Sequence, residues 1–474
     1  MNRGFRLLTS WLLAAAFAVL AFPAAWHLAP ALEWNPGAAK PVVSTPDAQL
    51  PPTKLAAAEL LTDSPDDAPV PDPKVLGGAL DKALKYDGAG NFAAQVTDAD
   101  SGDVLYERKG TEPRTPASNL KLLTGAAALL TLGAEARFST EVVQGNVPGT
   151  LVLRGGGDAL LGAGESERED VLGRAGLATL AKAAAERLAT VEFTGELRVL
   201  LDDTAYAGPT LSAAWDPADI QVGEIAPIYP LALSGGRENA DGSGELVDDA
   251  ALTAARAFRA ALAEEMSERG VKVAPDVVRG AAPKEGIVLA SVESATVAEH
   301  VNYMLQESDN YVAEVIARNT ALASGKPGSF GGGTEAIKEA MEKLGIPTSG
   351  LLISDASGLA LGNKVSAEQL SAVLREITSG SNQDLRAAID GLPVAGLTGT
   401  LQERFAGKTA GGAGLVRAKT GTLHTVTSLS GYAVTTDGRT LVFAFVANGL
   451  QNSTPQAREA ADRAATVLAG CGCR

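Results

Sequence analysis

The sequence predicts an α+β fold in which both ends of the chain build one antiparallel sheet flanked by helices, while a large α+β insertion interrupts the middle. Three observations carry that reading. A helix and a β-hairpin open the folded part of the chain, and a hairpin and a helix close it. Between them, almost 190 residues separate two short polar motifs, Ser118-Asn119-Leu120-Lys121 and Ser308-Asp309-Asn310, far more than two neighbouring helices require.

At the start, Arg3 and Arg6 precede an apolar run, Leu7 to Leu32, with no acidic or strongly basic residue. That is the pattern of an export signal or of a membrane anchor. Ala29-Pro30-Ala31 offers a small-residue cleavage site, and the run also exceeds the roughly 20 residues that span a bilayer, so both readings stay open. Residues 33–73 hold nine prolines, from Pro36 to Pro73, among Ala, Asp and Thr, and read as a linker. Roughly 400 residues remain, enough for two or three folded units.

Pro73 to Lys85 has helical periodicity through Val75, Leu76, Leu80 and Leu84. Ala94 to Thr97 and Val104 to Tyr106 read as a hairpin turning over Asp98 to Asp103. Ser118 to Leu132 reads as the next helix, closed by Gly133. From about Phe138 to Ala290, short β runs (Leu151 to Leu153, Leu197 to Leu201, Ile287 to Leu289) alternate with helical ones (Leu172 to Leu188, Asp248 to Gly270). Val301 to Ala317 is a helical stretch, and Gly325 to Gly333 reads as a flexible loop before a helix over Thr334 to Leu344. Thr425 to Val434 and Thr440 to Asn448 form a hairpin around Thr436-Asp437-Gly438, and Pro455 to Leu468 is an amphipathic helix. The expected division is therefore 1–32, signal or anchor; 33–73, linker; 74–141 with 288–470, one discontinuous domain; 142–287, the insertion; and 471–474, a tail containing Cys471 and Cys473.

A formal net charge of −16 argues against a nucleic-acid partner, which needs clustered Lys and Arg. Three His and two Cys, scattered at positions 27, 300, 424, 471 and 473, do not make a zinc site. Cys471-Gly472-Cys473 can close a small disulfide or stay reduced.

The chemistry sits in three motifs. A serine hydroxyl needs a base to become a nucleophile, and in Ser118-Asn119-Leu120-Lys121 positions i and i+3 share a helix face, bringing the Lys121 amine within reach of Ser118. At an ordinary lysine pKa only about one amine in a few thousand is neutral at pH 7, and lowering it by about three units supplies roughly 4 kcal/mol. Burial and a second cation, for which Lys419 is the candidate, push in that direction. A histidine base would have to be His300 or His424. Taken alone, Ser118 could be a helix N-cap. Ser308-Asp309-Asn310 interrupts an apolar helix: as a solvated face it does nothing, and as a break it would let Ser308 relay a proton and Asn310 hold a substrate amide while bonding Lys121. Lys419-Thr420-Gly421-Thr422 can receive a carboxylate, Gly421 allows a close backbone approach, and the N–H groups of Thr422 and Ser118 could form an oxyanion hole.

The three motifs in this order mark β-lactamases and penicillin-binding proteins. The chain resembles more narrowly the class C low-molecular-mass penicillin-binding proteins of the D-alanyl-D-alanine carboxypeptidase and endopeptidase type. The resemblance rests on Thr115-Pro116-Ala117 before the first motif, Gly155-Gly156-Gly157-Asp158, Asp355-Ala356-Ser357-Gly358-Leu359, Leu392-Pro393-Val394-Ala395-Gly396 with Gly399-Thr400-Leu401, and Arg417 to Leu423. It covers nearly everything beyond residue 75. It implies a penicillin-recognising serine transpeptidase, β-lactamase-like fold: an antiparallel sheet flanked by helices, an all-helical side, and an insertion between the first two motifs. It implies a serine DD-peptidase acting on D-Ala-D-Ala termini, and on D-Ala-meso-diaminopimelate cross-links, of peptidoglycan stem peptides. In it Ser118 is acylated, Lys121 is the base, Ser308 and Asn310 relay and position, and Lys419, Thr420, Gly421 and Thr422 bind substrate. β-Lactams would be covalent inhibitors, and no metal or organic cofactor is implied. Ile228 to Gly236 departs from the Ser-Ala-Leu-Ser-Val-Asn-like stretch of many relatives. A β-lactamase is the first rival, but the chain has no Leu-Asn dipeptide and hence no Glu-x-x-Leu-Asn segment; a non-catalytic wall- or β-lactam-binding protein of the same fold is the second.

The protein is expected secreted, or anchored at the cytoplasmic membrane, with its enzymatic part outside the cytoplasm. Cell fractionation checks this: the mature chain should sit outside the cytoplasmic membrane or on it, whereas an intact cytosolic chain would contradict the reading of Leu7 to Leu32.

Overall fold

The computed structural model describes residues 68–190 and 193–472. In chain order, α1 (Pro73–Ala83), β1 (Asn91–Asp98) and β2 (Val104–Arg108) come first, then a 3-10 turn (Ala117–Leu120) that runs into α2 (Lys121–Leu132). The middle holds β3 (Arg137–Gln144), β4 (Thr150–Arg154), β5 (Asp158–Leu161), α3 (Leu177–Ala189), β6 (Leu197–Asp202), β7 (Leu231–Leu233), α4 (Ala250–Ser267), β8 (Val273–Arg279) and β9 (Val288–Thr296). Then follow α5 (Val297–Glu307), α6 (Asn310–Ala323), α7 (Phe330–Lys343) and α8 (Ala367–Ser379). β10 (Val416–Leu423), β11 (Val426–Val434), β12 (Thr440–Asn448) and α9 (Thr454–Ala469) close the chain.

The two ends of the chain share one antiparallel sheet in the order β10-β11-β12-β1-β2. Its join is the β1–β12 pair, with Ala94 opposite Phe445 and Val96 opposite Phe443. β12 is buried on both faces, and its period-2 alternation separates two cores. Leu441, Phe443 and Phe445 face a layer with Leu76, Leu80 and Leu468 of α1 and α9. Val442, Ala444 and Val446 face the other way, into a core with Leu122, Leu123, Leu370 and Leu374 of α2 and α8. Val75, expected on the apolar side of the first helix, is instead half exposed, because the packed stripe runs through Leu76, Leu80 and Ala83.

The middle region forms a second sheet, β8-β6-β4-β3-β9. The β4–β6 and β6–β8 pairs are parallel, as their crossover helices α3 and α4 require. This sheet uses strands on both sides of the expected limits 142 and 287: β3 begins at Arg137, and its partner β9 ends at Thr296. The region is also tied to the rest of the fold. Trp215 is buried, stacks edge-on to Phe330 of α7, and donates its indole N–H to Asp355 at 3.0 Å. Phe138, Ile225 and Ile228 join the same apolar core as α2.

One local expectation is corrected, and one of two open readings is chosen. The expected loop at Gly325 to Gly333 already contains the first turn of α7, because the Ser329 side chain accepts the Gly332 N–H and caps the helix. Gly332 and Gly333 serve packing: a Cβ on Gly332 would stand 2.0 Å from the Pro327 carbonyl, and one on Gly333 3.2 Å from the Ala317 side chain. The stretch Val301 to Ala317 is two helices, broken where Ser308 adopts a left-handed φ of 58°. Leu7 to Leu32 and most of the linker lie outside the described residues. Among those described, no helix is long and apolar enough to cross a membrane. Cys471 is disulfide-bonded, and Cys473 lies outside the described residues.

A chain lacking residues 142–287 would lose Trp215, the parallel half of the second sheet and part of the α2 core. It is therefore expected to fail to give a soluble, cooperatively melting protein, as thermal unfolding by circular dichroism would report. Penicillin labelling preserved in such a chain would instead mean that the sheet built from both chain ends closes without the insertion.

Candidate active site

The turn carrying Ser118 is held under strain by its neighbours. Ala117 has a φ of 49°, in the region that costs a non-glycine residue about 1–3 kcal/mol. Gly358 lies directly against it: a Cβ there would stand 2.0 Å from the Ala117 carbonyl oxygen. On the other side, Gly421 of β10 would place a Cβ 2.9 Å from the Pro116 carbonyl, so the edge strand can touch the Ser118 turn only as glycine. β11 completes the grip. Ser428 Oγ donates to the Pro116 carbonyl at 2.7 Å, and Asn119 Nδ2 donates to Ser430 Oγ at 2.7 Å. Just upstream, Thr115 N–H donates to Asn448 Oδ1 at the end of β12, and Asn448 Nδ2 donates back to the Thr115 carbonyl. Ser118 is thus the second residue of a 3-10 turn, not a helix N-cap.

Lys121 opens α2 and is fully buried. Its Nζ lies 3.1 Å from Ser118 Oγ, 2.7 Å from Asn310 Oδ1 and 2.7 Å from the Ser357 carbonyl. Asn310 reaches it because the left-handed Ser308 ends α5 and Asp309 then caps α6, its carboxylate accepting the Val312 N–H at 2.8 Å. The polar triplet is therefore a break at the cleft. Asn310 also donates from Nδ2 to the Glu224 carbonyl at 2.9 Å, so the inserted region helps to orient it. Within that region, Gly236 lies against the Tyr311 ring and the Tyr229 N–H donates to the Tyr311 hydroxyl. The segment Ile228 to Gly236, which departs from the pattern of many relatives, thus buttresses the Ser308 motif.

Burial pulls the Lys121 amine down to about 8, while the carboxylates of Asp355, Asp309, Glu314 and Glu224 pull the other way. At that value about a tenth of the amines are neutral at pH 7. The expected helper cation, Lys419, is itself pushed well below the ordinary lysine value, by burial first and by Lys121 second. Its Nζ donates to Ser308 Oγ at 2.9 Å and to the Thr420 carbonyl at 3.0 Å. Thr420 Oγ1 meets Thr400 Oγ1 at 2.8 Å. The three sequence motifs therefore converge on one cleft of about 500 Å³, lined by Ser118, Ser308, Asn310 and Thr420 together with Arg237 and Arg404.

Neither candidate histidine sits on the serine. His300 is buried in α5 with Nδ1 against the Thr296 carbonyl and Nε2 3.5 Å from Asp158. His424 is exposed beside the cleft. Sequence reasoning missed the loop under Lys121. Asp355 accepts the N–H groups of Gly358 at 2.9 Å and Ala360 at 2.7 Å, with Asn363 Nδ2 at 2.8 Å. The signal was Asp355-Ala356-Ser357-Gly358 itself, an acid followed by small residues, but nothing local says which element it underlies.

An antiparallel sheet with a Ser-x-x-Lys pair at its edge, its lysine buried and its serine facing a cleft, closed by a helix break and an edge strand, defines a penicillin-recognising serine peptidase. The pattern of the D-Ala-D-Ala carboxypeptidase 3 (S13) family matches residues 76–243 and 241–469, and the chain belongs to that family. It is 39% identical over 411 residues to the carboxypeptidase DacB of Mycolicibacterium smegmatis, covering 86% of each chain. It is 32% identical over 438 residues to the D-alanyl-D-alanine carboxypeptidase of an Actinomadura species, covering 76% of this chain and 78% of the other. Penicillin binding protein 4 of Haemophilus influenzae has the same fold, with a TM-score of 0.64 at 19% identity over 83% of this chain and 98% of that one. The protein is thus a serine-type D-Ala-D-Ala carboxypeptidase by family.

With burial setting the Lys121 amine near 8, the acylation rate is expected to rise with pH and reach half its plateau near pH 8. The sign follows from the base form being the unprotonated one. Stopped-flow fluorescence with a labelled penicillin measures it, and a profile flat through that region would remove Lys121 from the step.

Proposed function

We propose that the protein cleaves the D-Ala-D-Ala termini of peptidoglycan stem peptides outside the cytoplasm through an acyl-enzyme on Ser118, with Lys121 as general base. The observation that carries this reading is the set of three oxygens around Lys121 Nζ. A neutral amine has two N–H bonds and one lone pair. Asn310 Oδ1 and the Ser357 carbonyl can take the two N–H groups, and the lone pair is then left facing the Ser118 hydroxyl at 3.1 Å. In acylation Ser118 Oγ attacks the carbonyl carbon of the penultimate D-Ala while its proton passes to Lys121. The oxyanion is received by the Ser118 and Thr422 N–H groups. Collapse breaks the C–N bond, and the departing amine takes a proton by way of Lys121 and Ser308. Water then repeats the sequence and frees the shortened peptide.

Lys419, Thr420, Gly421 and Thr422 are the proposed receptor for the substrate's terminal carboxylate. A carboxylate arriving beside Lys419 raises its proton affinity and makes it a cation when one is needed. Lys419 also fixes Ser308 for the relay. Cross-linked stems, whose D-Ala-diaminopimelate bond also lies beside a D-centre, are a second substrate of the same site. A β-lactam presents the same carbonyl and carboxylate. Its opened ring stays in the cleft, and no Glu-x-x-Leu-Asn carboxylate exists in this chain to activate water from another side.

Benzylpenicillin is expected to form a penicilloyl adduct on Ser118 that persists for minutes, seen by mass spectrometry of the intact protein. Ser118→Ala should abolish the adduct, and Lys121→Ala should lower its rate of formation by at least about 10³-fold, within the range general bases contribute, with both variants melting cooperatively. Rapid drug turnover without an adduct would favour a β-lactamase, and near-normal acylation of Lys121→Ala would return His424 to consideration. Products from purified muropeptides separate loss of D-Ala from cross-link cleavage.

A further inference from the structure

Beneath Lys121 lies a second buried acid that the scheme above does not use. Glu314 sits one helical turn after Asn310 on α6, so the two share a face. Its Oε1 accepts the N–H of Ala356 and the N–H of Ser357, each at 2.9 Å. The carbonyl of that same Ser357 is the one Lys121 Nζ meets at 2.7 Å. Thr124 Oγ1, from α2, donates to the neighbouring Ala356 carbonyl at 2.6 Å. Glu314 therefore holds the N–H groups of the two residues whose carbonyls face α2, and Asp355 holds two more, of Gly358 and Ala360. Two acids thus bind one tight turn in a site without solvent; Glu314 is 2% exposed and Asp355 is 0% exposed.

We propose that Glu314 is a positioning residue of the acylation step, which aims the Ser357 carbonyl at Lys121 and, by gaining or losing its own proton, adjusts how readily Lys121 gives up its proton. The inference rests on Lys121 being the base. The charged groups facing the pair are few. Asp355 lies in the loop, Asp309 at the start of α6 and Glu224 in the inserted region, and all raise the Lys121 amine. Arg318, one turn further along α6, is held below the ordinary arginine value by burial, with Glu314 among the groups that pull the other way, and Lys419 lies across the cleft. Burial, and then the nearby Asp355 charge, push the Glu314 carboxyl up to about 7, against the N–H groups it accepts. Glu314 therefore ionises just below the range in which Lys121 loses its proton. Protonated Glu314 removes a negative charge from beside Lys121 and favours the free amine; ionised Glu314 favours the ammonium.

The test is the pH profile of acylation by a labelled penicillin in Glu314→Gln, which keeps an oxygen for both N–H groups and removes the charge. The rising limb is expected to move to lower pH by roughly one unit, as for a like-sized change in local charge, with the plateau rate within about threefold of wild type. Glu314→Ala, which leaves both buried N–H groups without an acceptor, should lose plateau rate as well. A limb unmoved in a folded Glu314→Gln protein, with Lys121→Ala inactive, overturns this inference and leaves the proposed mechanism standing. Acylation persisting in Lys121→Ala overturns the mechanism first. Should Glu314→Gln not fold, infrared difference spectroscopy of the wild-type protein decides: a protonated-carboxyl band vanishing near pH 7 supports the inference, and its absence there overturns it.

Discussion

The contact on which the rest of the structure depends is the burial of the Lys121 amine among three oxygens drawn from three separate parts of the chain. A lysine taken wholly out of water loses several kcal/mol of hydration unless its hydrogens find partners. Ser118 supplies one partner from the amine's own turn, Asn310 another from the start of α6, and Ser357 the third from a loop almost 240 residues further on. None of the three can shift without exposing or stranding the amine. The same burial that demands these partners is what brings the amine down to about 8, so the stabilising constraint and the chemical one are a single arrangement.

Around that contact the backbone is packed closer than side chains would permit. Gly421 and Gly358 approach the Ser118 turn from opposite sides, one from the sheet edge and one from the Asp355 loop. Between them Ala117 is held at a positive φ, a conformation that a free turn would abandon. The hydroxyls of Ser428 and Ser430 then bind the turn to β11. The sheet built from both ends of the chain is thereby the surface against which the Ser118 turn is held. This accounts for its double-faced burial: an edge that must hold a strained turn has to belong to a rigid layer.

The inserted region is not a passenger on this arrangement. It delivers the Trp215 indole to Asp355, the Glu224 carbonyl to Asn310, and the Tyr229 and Gly236 backbone to Tyr311. Of the residues reached, Asn310 touches Lys121 directly, while Asp355 binds the turn that follows Ser357 and Tyr311 stands next to Asn310 on α6. A region so connected lines the cleft through Glu224 and Arg237, while Ser118 and Lys121 lie in the part of the fold built around the antiparallel sheet. Its own sheet closes only by borrowing β3 and β9 from the flanks, so the border between the two parts runs through hydrogen-bonded strands.

Local pattern was enough for the helices and hairpins, because apolar periodicity and turn residues act over a few positions. It was also enough for the three motifs: Ser118 and Lys121 are three residues apart on one helical face, and Lys419 to Thr422 lie in one strand. What it left open was whether Ser308-Asp309-Asn310 is a solvated face or a break, since the partners of Ser308 and Asn310, Lys419 and Lys121, come from distant parts of the chain. Gly325 to Gly333 misled for a related reason: Gly332 and Gly333 answer to Pro327 and Ala317 packed against the start of α7, and only Gly325, at a φ of 73°, needs a glycine's freedom. Glu314 and Asp355 were visible as letters, but their office depends on a turn meeting α2 and α6 from far along the chain. The sequence by itself determined which groups could do the chemistry, because those choices lie in residue type and short spacing. Only the tertiary structure decided how strongly Lys121 holds its proton, because burial and long-range charge belong to the assembled interior and to no segment of it.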